Sequence, residues 1–325
     1  MAKLTISIAL ERYDRHAPFF IGTVKTPENV ELKPLEVGMV VPGRDGLDRH
    51  GRMLRGEFDV GEMSLGSYVM ATSRGAPYTA TPVFPRRLFS QNHIFVNVAS
   101  GIDKPADLAG KRVAIRAFQV TMSVLAKGDL KFEYGVPWED VVWRTQNPEE
   151  VPWTPAKAVR IEPMPKGADA GRMLIAGELD ALIHPHPPHG LFDTSASVRR
   201  LFPDTKAECI RYFRKYGFYP IMHVMAIKRD LAEREPWLAR AVMEMWEDAK
   251  AQTRLAYTDP GYSMLPFARN EIEAQEDQLG ADPWPSGLAA NRKDLERFVM
   301  YCRDQTLIDR PLAVEELFDK SVLDS

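Results

Sequence analysis

The chain has 325 residues, 45% hydrophobic and 27% charged, the balance of an ordinary soluble globular protein, and it is longer than the roughly 250–300 residues at which a single core stops growing. Its formal net charge of -3 gives no electrostatic reason to expect nucleic acid or an acidic membrane surface as a partner. Two distant cysteines, Cys209 and Cys302, stand in no metal-like spacing and are read as reduced thiols.

At the N-terminus, the apolar part of "MAKLTISIAL" is too short for a signal-peptide core and "ERYDRH" follows at once. No apolar run reaches the ~18 residues that span a bilayer. The expectation is a cytoplasmic protein with no membrane partner. "LTISIAL" (4–10) is β-branched and apolar and predicts a strand buried on both faces. "VELKPLEV" (30–37) predicts a second strand, a helix follows from Asp48 to Arg55, and "FDVGEMS" predicts a third strand. Residues 65–73 are helical with Gly75 as the stop, and "YTATPVF" (78–84) is extended up to the pair Arg86-Arg87.

A second set of alternations begins with the strand "HIFVNVA" (93–99), the short helix "KPADLAG" (104–110) and the strand "KRVAI" (111–115). Residues 120–134 are helical, "DVVWRT" (140–145) and "AVRIEPM" (158–164) extended, and 168–177 helical. "LDALI" (179–183) is the last strand of this set and leads into "HPHPPHG" (184–190). "VRRLF" (198–202) and a strand "PIMHVMAIKRDL" (220–231) come next, then two long helices, 235–257 and about 288–306, with a Pro- and Gly-rich loop between them. Strands and helices alternating in two blocks predict an α/β protein of two lobes, each built on a mostly parallel sheet.

"GEFDVGEMSLGSY", "PVFPRRLF", "GIDKPADLAGKRVAI", "FEYGV", "GELDAL" and "YPIMHVMAIKRD", in this order from about Tyr13 to Lys250, resemble the 4,5-dihydroxyphthalate decarboxylases, relatives of the type II periplasmic solute-binding proteins. "DLAGKRVAI" is common to that whole superfamily; "EFDVGEMSLGSY" with "PVFPRRLF" and "YPIMH" is more specific to the decarboxylase-like branch. The resemblance implies a two-lobed periplasmic-binding-protein-like fold, with residues 1–90 and 196–325 in lobe 1 and 91–195 in lobe 2. Two crossover segments join the lobes, with ligand in the cleft between them. Open α/β sheets bind ligands beyond the carboxyl ends of their strands, which brings "ERYDRH", "EMSLGS", "RAFQVT" and "HPHPPH" to the cleft, with His223 from the strand at 220–226. The chain departs from the family pattern at Ser90-Gln91-Asn92, in "FQVT" and in the triple histidine, all expected in the cleft.

The resemblance implies a cofactor-independent decarboxylase of a hydroxylated aromatic dicarboxylate. Its chemistry needs cationic or N–H groups for the carboxylates and a general acid for the ring carbon. His223, His184 and Asp14 are the candidate catalytic residues. Arg15, His16, Ser64, Ser67, Arg86, Gln119, Thr121 and His186 are the candidate substrate-binding residues. Each has a structural alternative: helix capping for Ser64, Ser67, Gln119 and Thr121, a solvated arginine, a core histidine at 223, an Asp-capped turn at 13–16. Of Arg86 and Arg87, one should enter the cleft and the other pair with an acid or face solvent. "HPHPPHG" reads as a cleft loop, a metal loop or a solvated turn; the site set takes the first, with no metal and no cofactor. The alternative function is a solute-binding protein for a small anion, and the long C-terminal helices would allow a homodimer.

Overall fold

The computed structural model describes residues 3–38, 49–186 and 197–325. Among these, strands β1 (Leu4–Leu10), β2 (Val30–Glu36), β3 (Val60–Ser64), β4 (Tyr78–Thr81) and β11 (His223–Lys228) form one sheet in the order β2-β1-β3-β11-β4. Strands β5 (Ile94–Asn97), β6 (Arg112–Ile115), β7 (Val142–Thr145), β8 (Arg160–Pro163), β9 (Ala181–Ile183) and β10 (Val198–Arg200) form the other, ordered β10-β5-β9-β6-β7-β8. β1, β2 and β3 run parallel, as do β6, β7, β8 and β9. β11 runs antiparallel to β3 and β4, and β5 antiparallel to β9 and β10. Ile6, Ile8 and Leu10, which share one face of β1, are completely buried; on the other face Thr5 is exposed, Ser7 half-buried and Ala9 buried, so the expectation of a strand buried on both faces holds only toward its C-terminal end.

The helices are α1 (Ala17–Ile21), α2 (Arg49–Leu54), α3 (Leu65–Ser73), α4 (Thr121–Phe132), α5 (Ala170–Ile175), α6 (Thr205–Tyr216), α7 (Arg229–Arg234), α8 (Leu238–Ala256), α9 (Ala268–Leu279) and α10 (Leu288–Asp304). No helix among the described residues is long and apolar enough to cross a membrane. Asp48, expected to open the helix that runs to Arg55, lies outside the described residues.

Four expectations need correction. The second sheet does not end before residue 196, because β10 pairs antiparallel with β5. The strand read through residue 231 stops at Lys228, where α7 begins. Four helices escaped the sequence reading: α1, α6, α7, and α9 inside the supposed loop between the long helices. α9 buries none of its residues, so it offers no core stripe to detect. Finally, α10 packs on α4 of lobe 2, so the C-terminal segment does not belong to lobe 1 alone. The ring of Tyr301 lies where a Cβ on Gly128 would be, 2.2 Å from its Cδ2.

Residues 82–93 and 201–222 carry the chain between the sheets, and a β-bridge joins Arg87 to Ile221. Extended backbone sends successive side chains to opposite faces, so Arg86 and Arg87 diverge. Arg87 is buried in the hinge, donating to the carbonyls of Tyr219 (2.6 Å) and Pro285 (3.0 Å) and to Asn291 Oδ1 (2.5 Å), with Asp294 at 3.7 Å. Asp294 also accepts from the Ile221 N–H at 2.8 Å. Both crossovers are thus tied to α10. Ser90 and Gln91 are buried in the same region, Ser90 donating to Asp129 at 2.6 Å, while Asn92 is exposed. The expected cleft departure at 90–92 is therefore a hinge feature.

Candidate functional site

The first turns of α3 and α4 meet head to head between the lobes. Ser64 Oγ and Thr121 Oγ1 share a hydrogen bond of 2.7 Å, and the Gly66 N–H donates to Thr121 Oγ1 at 3.0 Å. Here Thr121 satisfies an N–H that helix α3 leaves open at its start. The approach is close enough that a Cβ on Gly66 would sit 2.2 Å from the Gln119 carbonyl oxygen. Ser67, one turn further, donates to Glu150 Oε2 at 2.9 Å, another contact between lobes.

Above this junction lies a cavity lined by Ser64, Thr121, Glu11, Gly38, His50, Arg86, Arg116, Glu150, His186 and His223, among others. It encloses about 60 Å³, room for roughly four to six water molecules. A substituted benzene ring needs more, so the lobes must part to admit one.

One wall carries a histidine–carboxylate pair. His223 opposes Ser64 in the β11–β3 register, and Glu62 stands two residues from Ser64 on the same face. His223 Nδ1 lies 2.5 Å from Glu62 Oε1, and Glu62 is completely buried. The carboxylate is an acceptor, so Nδ1 carries the hydrogen and Nε2 is left as the exchanging nitrogen. His50 packs edge-on against His223 with ring centroids 4.8 Å apart, and its Nδ1 accepts from the Ser64 N–H at 3.0 Å. That acceptor role fixes the neutral tautomer with the hydrogen on Nε2.

The opposite wall is cationic. Arg86 donates from Nη1 to His186 Nε2 at 2.9 Å and from Nη2 to the Pro185 carbonyl at 3.3 Å. Burial, and then the Arg86 charge, push the His186 pKa down to about 3. His186 is therefore neutral near pH 7 and shares its ring nitrogen with a guanidinium. His184 does not line the cavity. Its Nδ1 accepts from the His186 N–H at 3.0 Å, and burial pulls its pKa down to about 4. His189 lies outside the described residues. Among the described residues no cluster of three or more His, Cys, Asp or Glu could hold a metal ion.

The structure brings His223, Ser64, Arg86, Thr121 and His186 together and leaves the other candidates elsewhere. The Gln119 amide is spent on both backbone groups of Val151, at 3.2 and 3.1 Å. His16 is a core residue, its Nδ1 2.7 Å from the Glu11 carbonyl and its ring against Trp246. Asp14 and Arg15 line a separate groove beside α8 and α9, where Asp14 meets the Tyr257 hydroxyl and Arg15 lies between the rings of Tyr13 and Trp284. The short helix at Asp14–His16 turns these side chains away from the cleft.

Sequence reasoning missed Glu11, His50, Glu62, Arg116 and Glu150. Glu11 and Arg116 each directly follow a buried strand, β1 and β6, so the strand-end rule pointed at them and the reading went past them into the loops. A lone carboxylate inside the apolar strand of "VGEMS" was the signal for Glu62. Nothing in its segment marked His50.

No protein-family model matches the chain. A curated 4,5-dihydroxyphthalate decarboxylase from Comamonas testosteroni is 32% identical over 335 residues, covering 100% of this chain and 99% of the relative. Another protein of that name, from Pseudomonas putida, is 31% identical over 227 residues, 67% of this chain and 84% of the relative. Among solved structures, the periplasmic aliphatic sulphonate binding protein SsuA from Escherichia coli superposes with a TM-score of 0.58 at 14% identity, covering 100% of both chains. The alkanesulfonate-binding protein SsuA from Xanthomonas axonopodis pv. citri gives 0.57 at 15% identity, covering 98% of this chain and 99% of that one. At such identities the solved structures speak for the fold alone, which is the two-lobed periplasmic-binding-protein-like one.

Proposed function

The chain belongs to the 4,5-dihydroxyphthalate decarboxylase family, and from that premise we propose that it removes CO2 from a hydroxylated aromatic dicarboxylate such as 4,5-dihydroxyphthalate. The observation that carries the reading beyond family membership is the His223–Glu62 pair at the wall of the inter-lobe cavity. Arg86 and Arg116 hold the carboxylates and orient the ring. A ring hydroxyl para to the departing carboxylate raises electron density at the carbon that bears it. His223, as imidazolium, gives its Nε2 proton to that carbon, and Glu62 stabilises the charged ring before transfer. The bond to the carboxylate then breaks, its electron pair restores aromaticity, and CO2 leaves. One proton is consumed per turnover and returns to His223 from solvent when the lobes part. A positioned acid of this kind contributes about 10²–10⁴ in rate, and lobe closure removes competing water.

A second reading, capture of a small anion without chemistry, has the binding-protein fold on its side. It has no use for a histidine oriented by a buried carboxylate. The two separate when purified protein is incubated with 4,5-dihydroxyphthalate and the mixture is resolved by chromatography. The proposal expects equimolar CO2 and 3,4-dihydroxybenzoate; tight binding with the ligand recovered unchanged would establish the second reading.

A further inference from the structure

Glu11 stands in the wall of the same cleft. It follows β1, is 5% exposed and lines the same cavity as Arg86, Arg116 and His186. Its charge acts on His186 directly, opposing the lowering caused by Arg86. The placement is specific. Glu11 Oε2 accepts from the Tyr13 hydroxyl at 2.9 Å. Gly38 faces the stem of Glu11 so closely that a Cβ there would come within 2.7 Å of Glu11 Cγ. Only a residue without a side chain at 38 leaves the carboxylate where it is.

A carboxylate in the wall of the cavity accepts hydrogen bonds and cannot donate them, so it can pair with a donor on the ligand but not with a ligand carboxylate. A dihydroxylated ring supplies such donors in its phenolic O–H groups. We propose that Glu11 accepts hydrogen bonds from the ring hydroxyls of the substrate, so that the site selects hydroxylated aromatic dicarboxylates and rejects the same ring without hydroxyls. This inference rests on the proposed decarboxylase reading and adds the feature of the ligand that the cleft discriminates.

The probe for discrimination is phthalate, which keeps both carboxylates and lacks the hydroxyls. Its inhibition constant and the kcat/KM for 4,5-dihydroxyphthalate are measured for wild type, Glu11→Gln and Gly38→Ala. Exchanging a charged acceptor for an amide that keeps one acceptor oxygen and turns the other into a donor predicts a roughly tenfold fall in kcat/KM for the dihydroxylated ligand in Glu11→Gln. Phthalate, which has no hydroxyl to donate, should bind this variant about as well as wild type. Gly38→Ala changes no charge but crowds Glu11 aside, and should lower kcat/KM in the same selective way; it decides the matter if Glu11→Gln does not fold. Equal weakening of both ligands would show a structural role, and equal tightening a charge-balancing one; either overturns the proposal. If wild type binds both ligands without turnover, the decarboxylase reading fails, and calorimetric affinities for the same pair still decide whether Glu11 reads the hydroxyls.

Discussion

His223 makes one side chain both readable and misleading. A histidine inside "PIMHVMAI" looks like a core residue, and in burial it is one, at 6% exposure. Its function depends on a partner 161 positions away, Glu62, which only the antiparallel β11–β3 register supplies. We expect His223→Gln to lower kcat by about 10²–10⁴ while substrate affinity changes only a few-fold, read by single-turnover kinetics and calorimetry. Glu62→Gln should lower kcat by a smaller factor through a less stable imidazolium. Unchanged kcat in His223→Gln would remove it from the chemistry. Arg86 shows the opposite balance of legibility. Two neighbouring arginines and the alternation of extended backbone suffice to say that one enters the cleft and one does not. The choice between them waits on the hinge, where Asp294 and Asn291 take Arg87.

At the scale of elements, β1 and α3 have the bounds that their residue patterns predict, Leu4–Leu10 and Leu65–Ser73. α3 is buried from Leu65 to Ala71 and β1 buries Ile6, Ile8, Ala9 and Leu10, so along these stretches local pattern and tertiary demand agree. The readings that failed concern direction and exposure. The turn after β1 was expected to aim Asp14, Arg15 and His16 into the cleft, and a single 3₁₀ turn sends them elsewhere. The meeting of α3 with α4 was legible only as two strand-to-helix turns. That they touch through Gly66 and Gln119 is a long-range fact. Gly66→Ala puts a methyl against a backbone oxygen that cannot rotate away, so it should hold the lobes apart. The expected outcome is a tenfold or greater fall in kcat/KM, with a stability cost of roughly 1–3 kcal/mol from overpacking. Steady-state kinetics with a urea titration checks this, and full activity would mean that catalysis does not need this contact.

For the whole molecule, the two lobes share one continuous apolar core, which runs from the first sheet through α10 to Phe118, Trp138 and Trp143 of lobe 2. Folding and cleft geometry are therefore coupled, and pH should reveal it. Unfolded, each imidazole titrates near 6.5. Folded, burial lowers His93 and His184 to about 4 and His186 to about 3. Between those values the unfolded chain binds more protons, so unfolding free energy is full above about pH 6.5 and falls as pH drops toward 4. Asp129 and Asp294, raised by burial to about 6 and about 7, act in the opposite sense over an overlapping range. The clean measurement is consequently a difference. Urea unfolding of His93→Gln should lose less stability than wild type between about pH 7 and about pH 5, on the order of 1–2 kcal/mol less; identical losses would contradict the buried neutral histidine.

The central claim is that this cleft delivers a proton to a ring carbon as CO2 departs. Turnover of 4,5-dihydroxyphthalate in D2O, with the product examined by proton NMR, reports on that event itself. The account predicts 3,4-dihydroxybenzoate carrying one deuterium at the carbon that lost its carboxylate, formed at a rate that collapses in His223→Gln. Ligand returned intact, or product with hydrogen at that carbon, would contradict it.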